Sequence, residues 1–118
     1  MFFNLMQIEM PVGALTSIAH RITGILLALG VPAAVYLFDL SLRDAQAFGH
    51  LVEMGRSWPF KIAIIGFVWA LAHHLLAGVR HLLSDIDIGS RLPHARRSAW
   101  IVNASGAAIA LLAAGALL

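Results

Sequence analysis

With 118 residues, 60% of them hydrophobic, a mean hydropathy of +0.85 and only 12% charged, the chain is a single domain of residues 1–118 that carries too much apolar surface for a water-soluble fold of its size. The absence of cysteine excludes disulfides, thiolate metal sites and cysteine nucleophiles, so any redox group must be held by histidine, methionine or carboxylate. A net charge of +2, carried by basic residues near the ends of apolar stretches, reads as a membrane-topology signal and gives no nucleic-acid footprint.

The N-terminal stretch from Met1 to Val12 lacks a basic start and contains Asn4, Gln7 and Glu9. It matches neither a cleavable signal nor an Arg- and Ser-rich transit peptide, which predicts a mature bacterial protein.

Three apolar stretches follow, at about residues 14–40, 59–84 and 98–118. Each is long enough to cross a hydrocarbon core, which takes roughly 20 helical residues. Lipid cannot satisfy backbone N–H and C=O groups, so each stretch is expected to be a helix. The fold class expected is therefore an all-α membrane protein of three transmembrane helices. A soluble bundle is the alternative, but too few charged faces remain to solvate one. Pro32 falls inside the first helix and marks a candidate kink. Asp39 to Ser57 reads as the first loop, and Trp58-Pro59-Phe60-Lys61 as an interfacial start to the second helix. Asp85 to Arg97 reads as the second loop, broken by Pro93. The third helix is rich in Ala and Gly from Ala104 to Ala114, which favours close packing against a neighbour.

Basic residues set the predicted orientation. Arg21, Arg80, Arg91, Arg96 and Arg97 belong to one side, and Arg43, Arg56 and Lys61 to the other. This bias places the N-terminus and second loop in the cytoplasm.

Ionisable groups inside a membrane segment are costly and are candidate functional groups by default. The first helix carries Ser17, His20 and Arg21. The second carries His73 and His74, then Arg80, His81 and Asp85. Antiparallel helices bring both sets to the same leaflet. At about 100° per residue, Ser17, Arg21 and Gly24 share a face flanked by His20. His74, Gly78, His81 and Asp85 form one stripe, and His73 points roughly 100° away from His74.

A glycine one turn from His74 leaves a flat gap in which a porphyrin can lie, with a neutral imidazole as axial iron ligand. Arg21, with His20 or Arg80, would then meet the propionates. The bland reading of His74 is a helix–helix hydrogen bond, and that of Arg21 a snorkelling residue. The Ser17 and Arg21 pair also suits a quinone head, with Ser17 donating to a carbonyl oxygen and Arg21 stabilising negative charge. Asp85 or a histidine would relay protons. His50 and His94 read as solvent-exposed loop residues.

The segment Ser17-Ile-Ala-His20-Arg21-Ile-Thr-Gly24 resembles the SxxHRxxG signature of the cytochrome b subunit of succinate dehydrogenase. The segment His74-Leu-Leu-Ala-Gly78-Val-Arg80-His81-Leu-Leu-Ser-Asp85 resembles the second signature of that family, HxxxGxRHxxxD. Order, spacing and helix position agree over nearly the whole chain. The resemblance implies a haem b with His74 as one axial ligand and a partner's histidine as the other. It implies ubiquinone bound at Ser17 and Arg21, with His20 and Arg21 near a haem propionate. His81 and Asp85 match signature residues of less definite role.

The implied partners are a second membrane-anchor subunit that completes the helix bundle, an iron–sulfur subunit, a flavoprotein subunit and membrane lipid. The implied location is the bacterial inner membrane. Family members carry a basic-Pro pair ahead of a segment like Phe2 to Ile8. This chain begins at Met1 without it, which places the expected start upstream and bears on contact with the catalytic subunits. The alternatives are a quinol:fumarate reductase anchor and a structural anchor lacking haem. A transporter fits poorly, because polar groups at one end leave no continuous polar path.

Overall fold

The computed structural model describes residues 12–86, 88 and 91–118. The readings of the N-terminal stretch, including Phe2 to Ile8, lie outside the described residues. The described residues form four helices: α1 (Val12–Ser41), α2 (Ala45–Gly55), α3 (Trp58–Asp85) and α4 (Leu92–Leu117). Helices α1, α3 and α4 are each long and apolar enough to cross a membrane. At 1.5 Å per residue they extend about 39–45 Å, which exceeds the roughly 30 Å hydrocarbon core.

The packing is inverted relative to a protein in water. Large apolar side chains face outward: Leu29 is 71% exposed, Leu75 64%, Leu111 73% and Leu112 74%. The buried positions are small or polar: Ala70, Ala77, Ala99 and Val102 together with Thr16, Thr23 and His73. Lipid solvates the large residues as well as a core would, so nothing drives them inward. Small residues then allow backbones to approach, and polar ones bond across helices. A Cβ at Gly30 of α1 would lie 2.8 Å from the Phe67 ring of α3, and a Cβ at Gly106 of α4 would lie 3.4 Å from His73 of α3. Those two glycines mark where α1 and α4 press against α3.

Helix α1 runs without interruption across Pro32. Two predicted boundaries differ from the structure. The stretch from Asp39 to Ser57, expected as a loop, contains α2. Asp44 caps it by accepting from Ala47 N–H at 2.7 Å, and Phe48 and Val52 fall one turn apart on its apolar face. His50 is therefore helical, though exposed. The third spanning helix starts at Leu92 rather than about residue 98, because Pro93 lies in its first turn instead of ending a loop. A first-turn proline lacks only an N–H that would be unpaired there anyway. His94, Arg96 and Arg97 thus belong to α4.

Candidate functional site

Helices α1 and α3 run antiparallel, so the start of α1 meets the end of α3, and the predicted polar residues come together at that end. The imidazoles of His20 and His74 are parallel, with centroids 4.1 Å apart and 7° between planes. His81, two turns beyond His74, tilts against His20 at 5.0 Å. Stacked rings cannot aim their nitrogens at one bare ion, and among the described residues no metal-ion cluster is formed.

His74 is held by α1. Its Nδ1 lies 3.1 Å from the His20 carbonyl oxygen and 3.3 Å from Thr23 Oγ1. Thr23 in turn donates its hydroxyl to the same carbonyl at 3.0 Å. A carbonyl only accepts, so Nδ1 carries the proton and Nε2 keeps a lone pair. That is the arrangement in which metal-binding histidines are usually found, with the non-ligating nitrogen donating to a backbone carbonyl. Gly24 makes the approach possible, since a Cβ there would lie 3.2 Å from His74 Cε1.

The predicted flat gap over Gly78 is not bare. His20 reaches across from α1 and puts its Nε2 3.6 Å from where a Gly78 Cβ would lie. Beside the stack, His20, His74, Gly78, His81, Leu75 and Leu82 line an open, mainly apolar groove of about 370 Å3, within the roughly 300–1,000 Å3 range of ligand sites. His81 Nε2 is buried without a hydrogen-bond partner among the described residues, and a buried polar nitrogen in that state calls for a partner beyond them. A neutral imidazole ligand, an apolar groove and an orphaned imidazole nitrogen fit the predicted haem.

The other predicted residues divide. Ser17 is half-buried and Arg21 exposed on the flank of α1 next to His20. Asp85 is exposed at the end of α3. Arg80, expected near a propionate, turns to α4. Its Nε donates to Ser98 Oγ at 3.1 Å and its Nη2 to the Ala95 carbonyl at 3.2 Å. The reason is position: Arg80 lies six residues past His74, about 240° round the helix, on the face that carries His73. It locks α3 to α4 instead of lining the histidine groove.

Adjacent histidines therefore do different work. His73 is 2% exposed and faces α4, where its Nε2 is 3.0 Å from Asn103 Oδ1. Thr16 Oγ1 lies 3.2 Å from the same oxygen and donates to Val12 O at 2.8 Å. Asn103 so joins all three spanning helices. The sequence reading overlooked Thr16, Thr23 and Asn103. Their signal was present, since Asn103 is the lone amide inside an uncharged apolar span.

Fold and geometry define an all-α membrane protein with a cluster of polar side chains at one end of its bundle. The chain belongs to the succinate dehydrogenase/fumarate reductase transmembrane subunit family, whose pattern it matches over residues 1–114. It is 34% identical to a succinate dehydrogenase cytochrome b556 subunit of Paracoccus denitrificans, over 92% of this chain and 84% of that one. It is 35% identical to a protein of the same description from Coxiella burnetii, over 84% of this chain and 80% of the other. A succinate dehydrogenase hydrophobic membrane anchor subunit of Archaeoglobus fulgidus is 31% identical over 61% of this chain and 62% of its own length.

Proposed function

We propose that this chain is a membrane-anchor subunit of succinate:quinone oxidoreductase that holds haem b through His74 and helps form the quinone-reduction site at Ser17 and Arg21. The observation that carries the reading is the 3.1 Å contact between His74 Nδ1 and the His20 carbonyl oxygen. The Nδ1–H is committed to that carbonyl, which leaves Nε2 as the one lone pair offered to a metal. Two relatives described as cytochrome b556 subunits support a haem b in this family.

When bound, the haem supplies one-electron redox chemistry tuned by its axial ligands and burial. This chain's residues do the rest. His74 would hold the haem iron through its Nε2, and a second anchor subunit would provide a further nitrogen. His20, which lines the groove, and Arg21, exposed next to it on α1, would meet the propionates, and His81 lines the same groove. Ser17 donates to a quinone carbonyl oxygen, and Arg21 stabilises the negative charge that reduction places on it. Asp85, exposed at the end of α3, and His81 pass protons from the aqueous side. Electrons come from an iron–sulfur subunit, fed by a flavoprotein, docked on the cytoplasmic face of a bacterial inner membrane. The N-terminus and the α3–α4 loop lie on that face, the side that the bias of five basic residues against three favours.

Purification of the chain from its membrane in mild detergent tests this. The expected result is co-purification with the flavoprotein, iron–sulfur and second anchor subunits and a haem b band in the reduced-minus-oxidised spectrum. Purification alone, or a complex without that band, overturns it. The family description also covers fumarate reductase. Faster turnover with menaquinol and fumarate than with succinate and ubiquinone would move the assignment to that direction.

A further inference from the structure

A second groove lies round α3 from the histidines and meets the first at Val79, which lines both. Leu76, Val79 and Leu83 of α3 and Ile101 of α4 wall a slot of about 220 Å3. Its contents change along its length. The walls are aliphatic toward the middle of the helices, along Leu76, Val79, Ile101 and Val102, and polar groups join Leu83 and Ile88 where α3 ends and α4 begins. Arg80, Ser84 and Ser98 line it there. Arg80 fastens itself to Ser98 Oγ and the Ala95 carbonyl, which engages two of the five guanidinium donors and fixes the charge at the mouth.

Beyond the mouth the charge continues. His94, Ser98 and Ile101 follow one face of α4 at intervals of four and three residues, and Arg91 stands at its N-cap. Both Arg91 and His94 are exposed, and the Arg91 side chain makes no capping bond. The first turn of α4 holds no acidic residue, so the positive end of the helix dipole adds to the same field. Asp85 lies about 140° round α3 from Arg80 and does not neutralise it.

An aliphatic slot with a basic, hydroxyl-bearing mouth at the membrane surface is complementary to one kind of molecule. We infer that the α3–α4 groove binds an anionic phospholipid, with an acyl chain along Val79, Leu83 and Ile101 and the phosphate at Arg80, Ser98, His94 and Arg91. Basic pockets between spanning helices are a recurrent means of holding anionic head groups. The lipid would brace the α3–α4 junction, and therefore the register of α3 against α1, from outside the haem groove.

The test uses the intact detergent-solubilised assembly, stripped of lipid and supplied with dioleoylphosphatidylglycerol or dioleoylphosphatidylcholine. Lipid retained after a detergent wash is read by mass spectrometry. The wild type is expected to retain phosphatidylglycerol in preference to phosphatidylcholine. Arg91→Gln removes charge without touching the packing and should weaken retention about fivefold, the effect of one basic residue at a charged interface. Leu83→Phe narrows the slot with every charge kept and should also lose the lipid.

Equal retention of the two lipids, or retention unchanged in both variants, overturns the inference. Displacement by inorganic phosphate alone would reduce the site to an anion subsite. A photo-cross-linker at position 101 that captures a protein segment in place of lipid would assign the groove to a partner. None of these readings depends on haem, so failure here is distinguishable from failure of the proposed function.

Discussion

Gly24 of α1 lies so close beneath His74 of α3 that a single methyl group would reach 3.2 Å from the ring's Cε1. The ring has little room to yield, because Nδ1 is anchored to the His20 carbonyl and His20 covers one face. Gly78, one turn along α3, is different: a Cβ there meets His20 Nε2 at an ordinary 3.6 Å. Gly24→Ala is therefore expected to be the more damaging substitution. Alanine gains up to about 1 kcal/mol in helix propensity, against about 1–3 kcal/mol for overpacking. Thermal unfolding and the haem b spectrum of each variant check this, and equal behaviour of the two would show that the His74 contact is unimportant.

Asn103 supplies the oxygen that both His73 and Thr16 approach. Asn103→Leu leaves the buried His73 ring without its partner on α4, at an expected loss of about 1–2 kcal/mol of stability. Pairing it with His73→Leu should restore part of that loss, since an apolar pair leaves no unpaired polar atom. A double-mutant cycle of detergent-resistance midpoints measures it. Simple additivity of the two losses would mean that the bond contributes nothing.

Arg21 is exposed on α1 and makes no bond to another described residue, so its removal should spare the fold and act on the proposed quinone. Arg21→Leu is expected to lower quinone reduction on the order of 10²-fold, the usual effect of deleting an oriented donor at developing negative charge. Succinate oxidation with a soluble artificial acceptor should persist. Parallel loss of both activities would place Arg21 in assembly instead.

The legibility of this chain in its sequence followed chemical cost. Residues expensive in lipid stand out without coordinates, and His20, His74 and His81 do converge as their helical spacing implied. What spacing could not provide was reach. Arg80 shares a signature segment with His74, yet a six-residue offset turns it to α4. The gap over Gly78 was legible as an absence, but not the ring of His20 that fills it. Thr16, Thr23 and Asn103 escaped because hydroxyls and amides interrupt hydropathy only weakly, although buried in lipid they must find partners. Helix α2 escaped because 11 amphipathic residues between two long apolar spans read as their connection, although the Phe48–Val52 spacing and the capping carboxylate of Asp44 both signalled a helix.

His73 and His74 are neighbours with opposite assignments, one bonded to α4 and the other to α1. The reduced-minus-oxidised spectrum of the purified complex separates them. His74→Leu should abolish or severely disturb the haem b band, while His73→Gln, whose amide can still donate to Asn103, should keep it. A band that survives the loss of His74, or one that vanishes only with His73, would contradict the central claim that α1 presents His74 to the haem iron.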